Sequence, residues 1–364
     1  MKSKMNIKQT IKASILRWMT QKSTSMEINT PKSILFLRYD RIGDMIITTP
    51  IFREFKRLYP NSKVYVLASE TNSEIIKFNP YIDGIFLNHK HSFVSDIPTL
   101  LKLRKLKVDT AVEFDHSVIP HAILRLKIIK PKRIISVRKD GRYGVSGEEL
   151  TLYDLYTKKG LDEHARDIWL RTIEAFTGKV TNRRYEIFLG NQSKVKSQQF
   201  IKQLGNQFYV GFNLEGAVNG KKISFSDFEE LANKIKKILP TAKVILFCHP
   251  KKRDQLIRKV DNASLTNVIL SYPTVSILDL CALITKMDVV ITPDTSVVHI
   301  ASAFNIPTIS IHEKNLNSFR LFMPQSSISR TVFSDEPDSL NGFKIIEVVK
   351  FFKEITNILG KQIL

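Results

Sequence analysis

The sequence predicts an α/β protein made of two doubly wound domains, each a parallel sheet covered on both faces. Three observations carry this expectation. Short apolar runs of strand length alternate with helix-like periods, which is what a parallel sheet with crossover helices requires. The same plan occurs twice along the chain. Finally, 364 residues with 43% apolar content exceed the usual size of one core and supply enough apolar surface for two.

In the first half "SILFLRY" opens the sheet, and Ile51, Phe55 and Leu58 follow at helical spacing. Next come the strand "KVYVLAS", a helical "NSEIIKF", the strand "GIFLN", a leucine-rich helix from about Pro98, and the strand "DTAVEF". Each strand is a handful of residues and nearly all apolar, as burial on both faces demands. A helix from about His164 to Phe176 ends at Gly178, where "TGKVTNRRYEIFLGNQ" gathers polar residues and marks the expected domain boundary.

The second half begins with the strand "QFYVGFN", a helix around "FSDFEELANKIKKILP" and the strand "AKVILFCH". A basic helix "KKRDQLIRKV", then "NVILS", "ILDLCALITKM", "DVVITP", "SVVHIASAFN" and "PTISIH" continue the alternation. A last helix, roughly Phe343 to Leu359, returns to one domain or the other. The expected division is a leader over 1–30, domains over 31–180 and 181–342, and a terminal helix over 343–364, with a cleft between the two halves.

Lys plus Arg number 56 against 35 Asp plus Glu, a net charge of +21. Such a field suits an anionic partner: nucleic acid, an acidic membrane surface, or phosphorylated small molecules and lipids. No run approaches the roughly 20 apolar residues that cross a bilayer, so a soluble or peripheral cytoplasmic protein is expected. In "MKSKMNIKQTIKASILRWMTQKS", Ile7, Ile11, Ile15 and Trp18 fall at helical spacing among six basic residues, with no acid before Glu27. That pattern fits a helix lying on an anionic membrane surface. Lys12 and Arg17 interrupt any apolar core of a secretion signal, so cleavage is not expected. Cys248 and Cys281 lack CxxC or ligand-like spacing and read as buried thiols in a reducing compartment.

In an open parallel sheet ligands bind beyond the carboxyl ends of the strands, and two acids sit there. Asp44, in "DRIGD", follows the first strand at the start of a helix. It is either a helix cap or a group placed for chemistry. Asp294, Thr295 and Ser296 open the helix after "DVVITP", where hydroxyls and free amides make an anion cradle suited to a diphosphate. His299, four residues after Thr295, shares its helix face. In "LEGAVNGKKISF", Gly216 and Gly220 allow a close backbone approach, and Lys221 or Lys222 is placed to neutralise a departing diphosphate.

Several chemistries are disfavoured. "DRIGD" has one glycine where a dinucleotide site has GxGxxG, which counts against NAD, and GxxxxGK[ST] is absent. No DxD triplet occurs, which disfavours a metal-bridged diphosphate. His89 and His91 read as loop residues rather than ligands, and "GRYGVSGEE" as a mobile loop. No cofactor and no resident metal are expected.

These residues resemble a known family. "FLRYDRIGDMIITTPIFREFKRLYPNSKVYVLAS" is similar to the opening signature of the bacterial heptosyltransferases, glycosyltransferase family 9. "VVITPDTSVVHIASAFNIPTISI" is similar to their second signature, DTGxxHxAxAxxxP, and "DEHARDIWLRTIEAF" resembles the segment entering the interdomain region. Together these anchor roughly residues 31 to 315. The resemblance implies a GT-B fold of two Rossmann-like domains facing a central cleft. It also implies a metal-independent, inverting transfer from a nucleotide sugar, ADP-heptose first, to an anionic lipopolysaccharide-core acceptor.

On that resemblance Asp44 maps onto the general base, and Asp294, Thr295 and His299 onto contacts with the donor diphosphate and sugar. A lysine of the second domain maps to Lys221 or Lys222. Ser296 stands where the family has Gly, and "FCHPKKRD" lacks an acid that some members carry there. Asp115 and His116, just beyond "DTAVEF", are candidates for the acceptor pocket. The alternative from another class is a catalytically inactive nucleotide-sugar or nucleic-acid binding module, although the interleaved aromatics of a nucleic-acid module are missing.

Overall fold

The computed structural model describes residues 7–22, 30–89, 93–157, 163–216 and 219–361, and the chain divides into two compact units, Met1–Arg183 and Arg184–Leu364. The first unit runs α1 (Ile7–Thr20), β1 (Ser33–Arg38), α2 (Ile42–Leu58), β2 (Lys63–Ser69), β3 (Gly84–Asn88), α3 (Phe93–Lys105), β4 (Thr110–Glu113), α4 (Pro120–Ile129), β5 (Arg133–Val137), β6 (Leu155–Thr157) and α5 (Ala165–Thr177). Its six strands are all parallel in the order β3-β2-β1-β4-β5-β6.

Side chains alternate across a strand, and β1 shows what that does here. Leu35 and Leu37 join Leu67, Ala111 and Ile134 on one face, beneath Leu100 and Leu103 of α3, Ile123 and Leu126 of α4, and Ala13 and Leu16 of α1. Phe36 faces the other way, with its ring 5.2 and 6.4 Å from Phe52 and Phe55 of α2. It also stacks on Phe114, which meets Trp169 of α5 at 6.0 Å.

The second unit runs α6 (Asn191–Leu204), β7 (Phe208–Asn213), α7 (Phe225–Ile238), β8 (Ala242–Phe247), α8 (Arg253–Asn262), β9 (Val268–Leu270), α9 (Ile277–Ile284), β10 (Val289–Pro293), α10 (Ser296–Ala303), β11 (Thr308–His312), α11 (Leu316–Phe322), β12 (Ser329–Phe333) and α12 (Ile345–Ile358). Its parallel order is β12-β11-β10-β7-β8-β9. Counted from each unit's own first strand, both sheets read 3-2-1-4-5-6, the dinucleotide-fold order. The order reverses between β1 and β4 in one sheet and between β7 and β10 in the other. The terminal helix α12 packs against α7, β11 and β12, with Phe352 6.3 Å from Phe208, and so belongs to the second unit.

A shared device closes the amino edges of both sheets. Asp83, Asp109, Asp154 and Asp288 each stand just before a strand and accept the backbone amide of a neighbouring one. The donors are Val64, Lys32, Ile134 and Tyr209, at 2.9, 2.8, 2.6 and 2.7 Å. Burial works against ionisation of Asp83 and Asp109, yet hydrogen bonds from Lys56 and Val64, and from Lys132 and Lys32, hold both below the usual carboxylate range.

The structure departs from the sequence expectations in places. Strands β5, β6 and β12 and helices α4, α6 and α11 were not among the expected elements. β5 starts inside the charged stretch "KPKR", and β6 has only three residues. "NSEIIKF" holds a 3₁₀ turn over Ser73–Ile76 rather than a helix. "GRYGVSGEE" is a packed turn, not a mobile loop: Arg142 bridges to Val145, Val145 is buried, and a Cβ at Gly147 would lie 2.2 Å from the Lys139 carbonyl oxygen. The expected leader helix forms over Ile7–Thr20 but packs Ala13 and Leu16 into the core. Its residues 1–6 and 23–29, together with His91, lie outside the described residues. Cys248 and Cys281 are buried thiols that form no disulfide. Among the described residues no helix is long and apolar enough to cross a membrane.

Candidate active site

At the carboxyl edge of the second sheet, Asn213 ends β7 and ties the strand reversal together. Its amide nitrogen donates to the Thr292 and Thr295 hydroxyls at 3.1 and 3.2 Å and to the Glu215 carbonyl at 3.0 Å. Its carbonyl oxygen accepts from the Glu215 amide at 3.1 Å. Thr295 is the N-cap of α10, where its hydroxyl accepts the Val297 amide at 3.3 Å. Ser296, half-exposed, is the first helical residue.

Asp294 stands between two basic groups, with one carboxylate oxygen 3.9 Å from Lys221 Nζ and the other 3.9 Å from His312 Nδ1. Lys221 also donates to Glu313, whose side chain is almost wholly buried. The second Glu313 oxygen and His312 Nε2 are buried without a hydrogen-bond partner among the described residues. Burial holds the His312 imidazole below its ordinary pKa despite the opposing pull of Asp294 and Glu313, and Lys221 adds to the lowering.

The structure therefore separates the two candidate lysines. Lys221 joins the Asp294 cluster, whereas Lys222 lies in the exposed loop 3.9 Å from Glu215, which also accepts from Lys252 at 2.6 Å. Gly216 has a different use from the one expected: a Cβ there would sit 1.7 Å from the Lys221 carbonyl oxygen, so the small residue lets the loop close on itself and set the lysine. His299 is buried, edge-on to Tyr185 at 6.4 Å and Phe322 at 6.5 Å.

At the corresponding edge of the first sheet, Asp44 is the third residue of α2. Its carboxylate accepts the Arg41 amide at 3.4 Å, a long and weak cap, and it has no other hydrogen bond among the described residues. The Asp44 backbone is better fixed: its carbonyl accepts the Thr48 hydroxyl at 2.7 Å and Arg38 Nε at 3.4 Å. Arg38, the last residue of β1, is 2% exposed and lies over the Trp169 ring at 3.6 Å. It donates to Thr48 at 3.1 Å and to Asp40 at 2.7 Å, and its remaining NH2 group is buried without a partner among the described residues.

Beyond β4, a buried ion pair joins Glu113 to Lys139, which also donates to the Asp115 carbonyl. Burial, and then the Glu113 charge, push the Asp115 carboxyl up to about 6 against the opposing pull of Lys139 and Arg38. Burial also drives the phenols of Tyr39 and Tyr153 well above their ordinary values, with Glu113 adding to it. The Tyr39 hydroxyl lacks a partner among the described residues. His116, next along, holds the Arg138 carbonyl at a long 3.4 Å.

Asp44 and Asp115 thus share one strand reversal, while Lys221, Asp294, Thr295 and Ser296 share the other. The sequence reading missed Arg38, Glu113, Lys139, Asn213, His312 and Glu313. A single charge ending the apolar run "SILFLR" was a readable signal for Arg38, as was the polar end of "TISIHE" for His312 and Glu313. Among the described residues no group of three or more His, Cys, Asp or Glu is arranged to hold a metal ion.

Comparison with known proteins follows the same lines. The sequence profile of glycosyltransferase family 9 (heptosyltransferase) matches residues 127–320, which include the second signature but not the first. A family 9 glycosyltransferase from Veillonella parvula has a similar structure, with a TM-score of 0.76 at 16% identity over 92% of this chain and 99% of that one. E. coli ADP-heptose lipopolysaccharide heptosyltransferase II is similar at 0.70 and 16%, over 90% and 100%. E. coli heptosyltransferase WaaC with ADP is similar at 0.70 and 14%, over 89% and 98%. The same enzyme with ADP-2-deoxy-2-fluoro heptose gives 0.68 and 13%, over 88% and 99%. The fold is the GT-B α/β architecture of these enzymes.

Proposed function

The chain belongs to glycosyltransferase family 9, the heptosyltransferases, and from that premise we propose that it transfers a sugar from a nucleotide diphosphate donor, ADP-heptose first, to an anionic lipopolysaccharide-core acceptor. As a glycosyltransferase it is not the inactive binding module weighed above. The observation that carries the donor assignment is the meeting of Lys221 with Asp294 beside the capped start of α10, where a cation and helix amides stand at a strand reversal. The similarity to WaaC, seen once with ADP and once with ADP-2-deoxy-2-fluoro heptose, supports the choice of nucleotide and sugar.

In this reading an ionised Asp44 removes the proton from an acceptor hydroxyl as its oxygen attacks the anomeric carbon. The carbon–oxygen bond to the leaving diphosphate breaks on the opposite face, and one displacement inverts the centre. Lys221 and the first amides of α10, at Thr295 and Ser296, stabilise the charge that grows on the diphosphate. This makes no use of a metal. Asp294 orients the lysine, and buried His299 supports the helix that presents those amides. Lys222 adds positive charge from the loop. Asp115 and His116 line the acceptor side.

The test is release of ADP when ADP-heptose and a core-oligosaccharide acceptor are mixed, alongside calorimetric donor binding. Asp44→Asn should lower turnover by about 10²–10⁴-fold while donor affinity is kept. Turnover equal to that of the parent would remove Asp44 from the role of base. Absence of ADP release with this donor, alongside release from a UDP- or GDP-sugar, would move the donor assignment.

A further inference from the structure

We propose that the outer surface of the helical layer α3–α4–α1 seats the first unit on an anionic lipid bilayer. The three helices cover one face of the first sheet and share one core with Leu35, Leu37 and Leu67. Both α3 and α1 pack on α4. Their outward faces therefore form a single surface.

That surface is apolar in two stripes. On α1, Ile7, Ile11, Ile15 and Trp18 are 77, 54, 50 and 72% exposed, at spacings of four, four and three, while Ala13 and Leu16 on the opposite side fill the core. On α3, Val94, Ile97 and Leu101 are exposed at spacings of three and four, while Leu100 and Leu103 are buried. A helix that buries one side in its own fold ordinarily turns a polar side outward. Both of these helices turn apolar residues out as well.

The charge on the same surface has one sign. Lys8, Lys12 and Arg17 of α1 and Lys102, Arg104 and Lys105 of α3 are exposed. The only acid in the three helices is Asp96, which is 1% exposed and bound by Arg125 at 2.7 Å. The Arg17 contact with Glu149 is a half-exposed surface pair of the kind that contributes little. Single apolar side chains set among cations suit the boundary between headgroups and acyl chains, with the long basic side chains reaching to lipid phosphates. A second copy of the chain is a poorer occupant, because two faces of the same charge repel.

The test uses the full chain and vesicles with neither donor nor acceptor present, so its outcome is independent of the transfer reaction proposed above. Sedimentation with phosphatidylcholine vesicles containing about 30% phosphatidylglycerol should show binding that weakens with salt and is absent from pure phosphatidylcholine. The double variant Ile11→Ser with Trp18→Ser, and separately Val94→Ser with Leu101→Ser, should each lower the bound fraction by about tenfold, with melting temperatures unchanged. Three results would overturn the proposal: equal binding to neutral vesicles, no binding to either, or self-association in place of lipid binding. Loss with the α1 pair but not with the α3 pair would overturn the shared surface.

Discussion

The carboxyl edges of the two sheets have the same strand order and opposite electrostatic habits. In the second unit the polar groups are largely committed to one another: Asn213 spans Thr292, Thr295 and Glu215, and Lys221 lies among Asp294 and Glu313. In the first unit Asp44 has one long hydrogen bond, and Asp115 is pushed up to about 6 by burial and the charge of Glu113. A carboxylate already holding several donors is a weak base, because each bond stabilises its charged form. The contrast supports the proposed division, with holding at the second edge and proton removal at the first. The amino edges make the same point from the other side, since all four acids there are spent on backbone amides at or just before the start of a neighbouring strand.

The largest effect that could break this comparison is at Asp44, where Asn should cost the full 10²–10⁴-fold in turnover. Next comes the division between the lysines. Lys221→Ala removes the partner of a nearly buried Glu313, so it should lower both ADP affinity and stability, each by about 2 kcal/mol. Lys222→Ala, in its exposed loop, should change either by less than about 0.5 kcal/mol. Calorimetry with ADP and thermal melts read both, and equal losses from the two variants would erase the distinction between the Asp294 cluster and the loop.

A smaller effect separates amino-edge from carboxyl-edge acids. Asp83→Ala leaves the Val64 amide without its acceptor and should cost about 1–3 kcal/mol of stability with specific turnover unchanged. Because the native carboxyl lies below its usual range, its contribution is present above the unfolded value and is lost as pH falls through the native one. The parent and the variant should therefore converge in stability in acid. A turnover loss in properly folded Asp83→Ala would put chemistry at the wrong edge of the sheet.

How much of this was legible in the sequence follows from what each residue type signals. Period and run length mark β1 and β7 well, because strands buried on both faces are almost wholly apolar. β6 and β12 are short and partly polar, so periodicity is silent on them. Asp44, Asp294 and Thr295 were readable because they follow strands and open helices. Arg38 and Lys139 were harder: a buried cation is recognisable only by the Trp169 ring or the Glu113 carboxylate that accepts it, and those lie about 130 and 26 positions away along the chain. The choice of Lys221 over Lys222 likewise needed Glu313, which follows β11 far along the chain.

The smallest effect concerns Asp115, whose raised carboxyl contrasts with the lowered acids of the amino edge. Asp115 has a native pKa of about 6, above the ordinary carboxyl value. Its contribution to stability is therefore fully present below that ordinary value and is lost as pH rises through about 6. Asparagine mimics the protonated acid, so Asp115→Asn should melt roughly 2–4 °C above the parent at about pH 8, with the gap narrowing as pH falls through the native value and closing only below the ordinary carboxyl value. If the gap is absent at both pH values, burial and the Glu113 charge do not hold Asp115 protonated, and its contrast with the lowered acids of the amino edge disappears. If the gap opens with pH, Asp115 is an acid that burial and the Glu113 charge keep protonated to higher pH than an ordinary carboxyl.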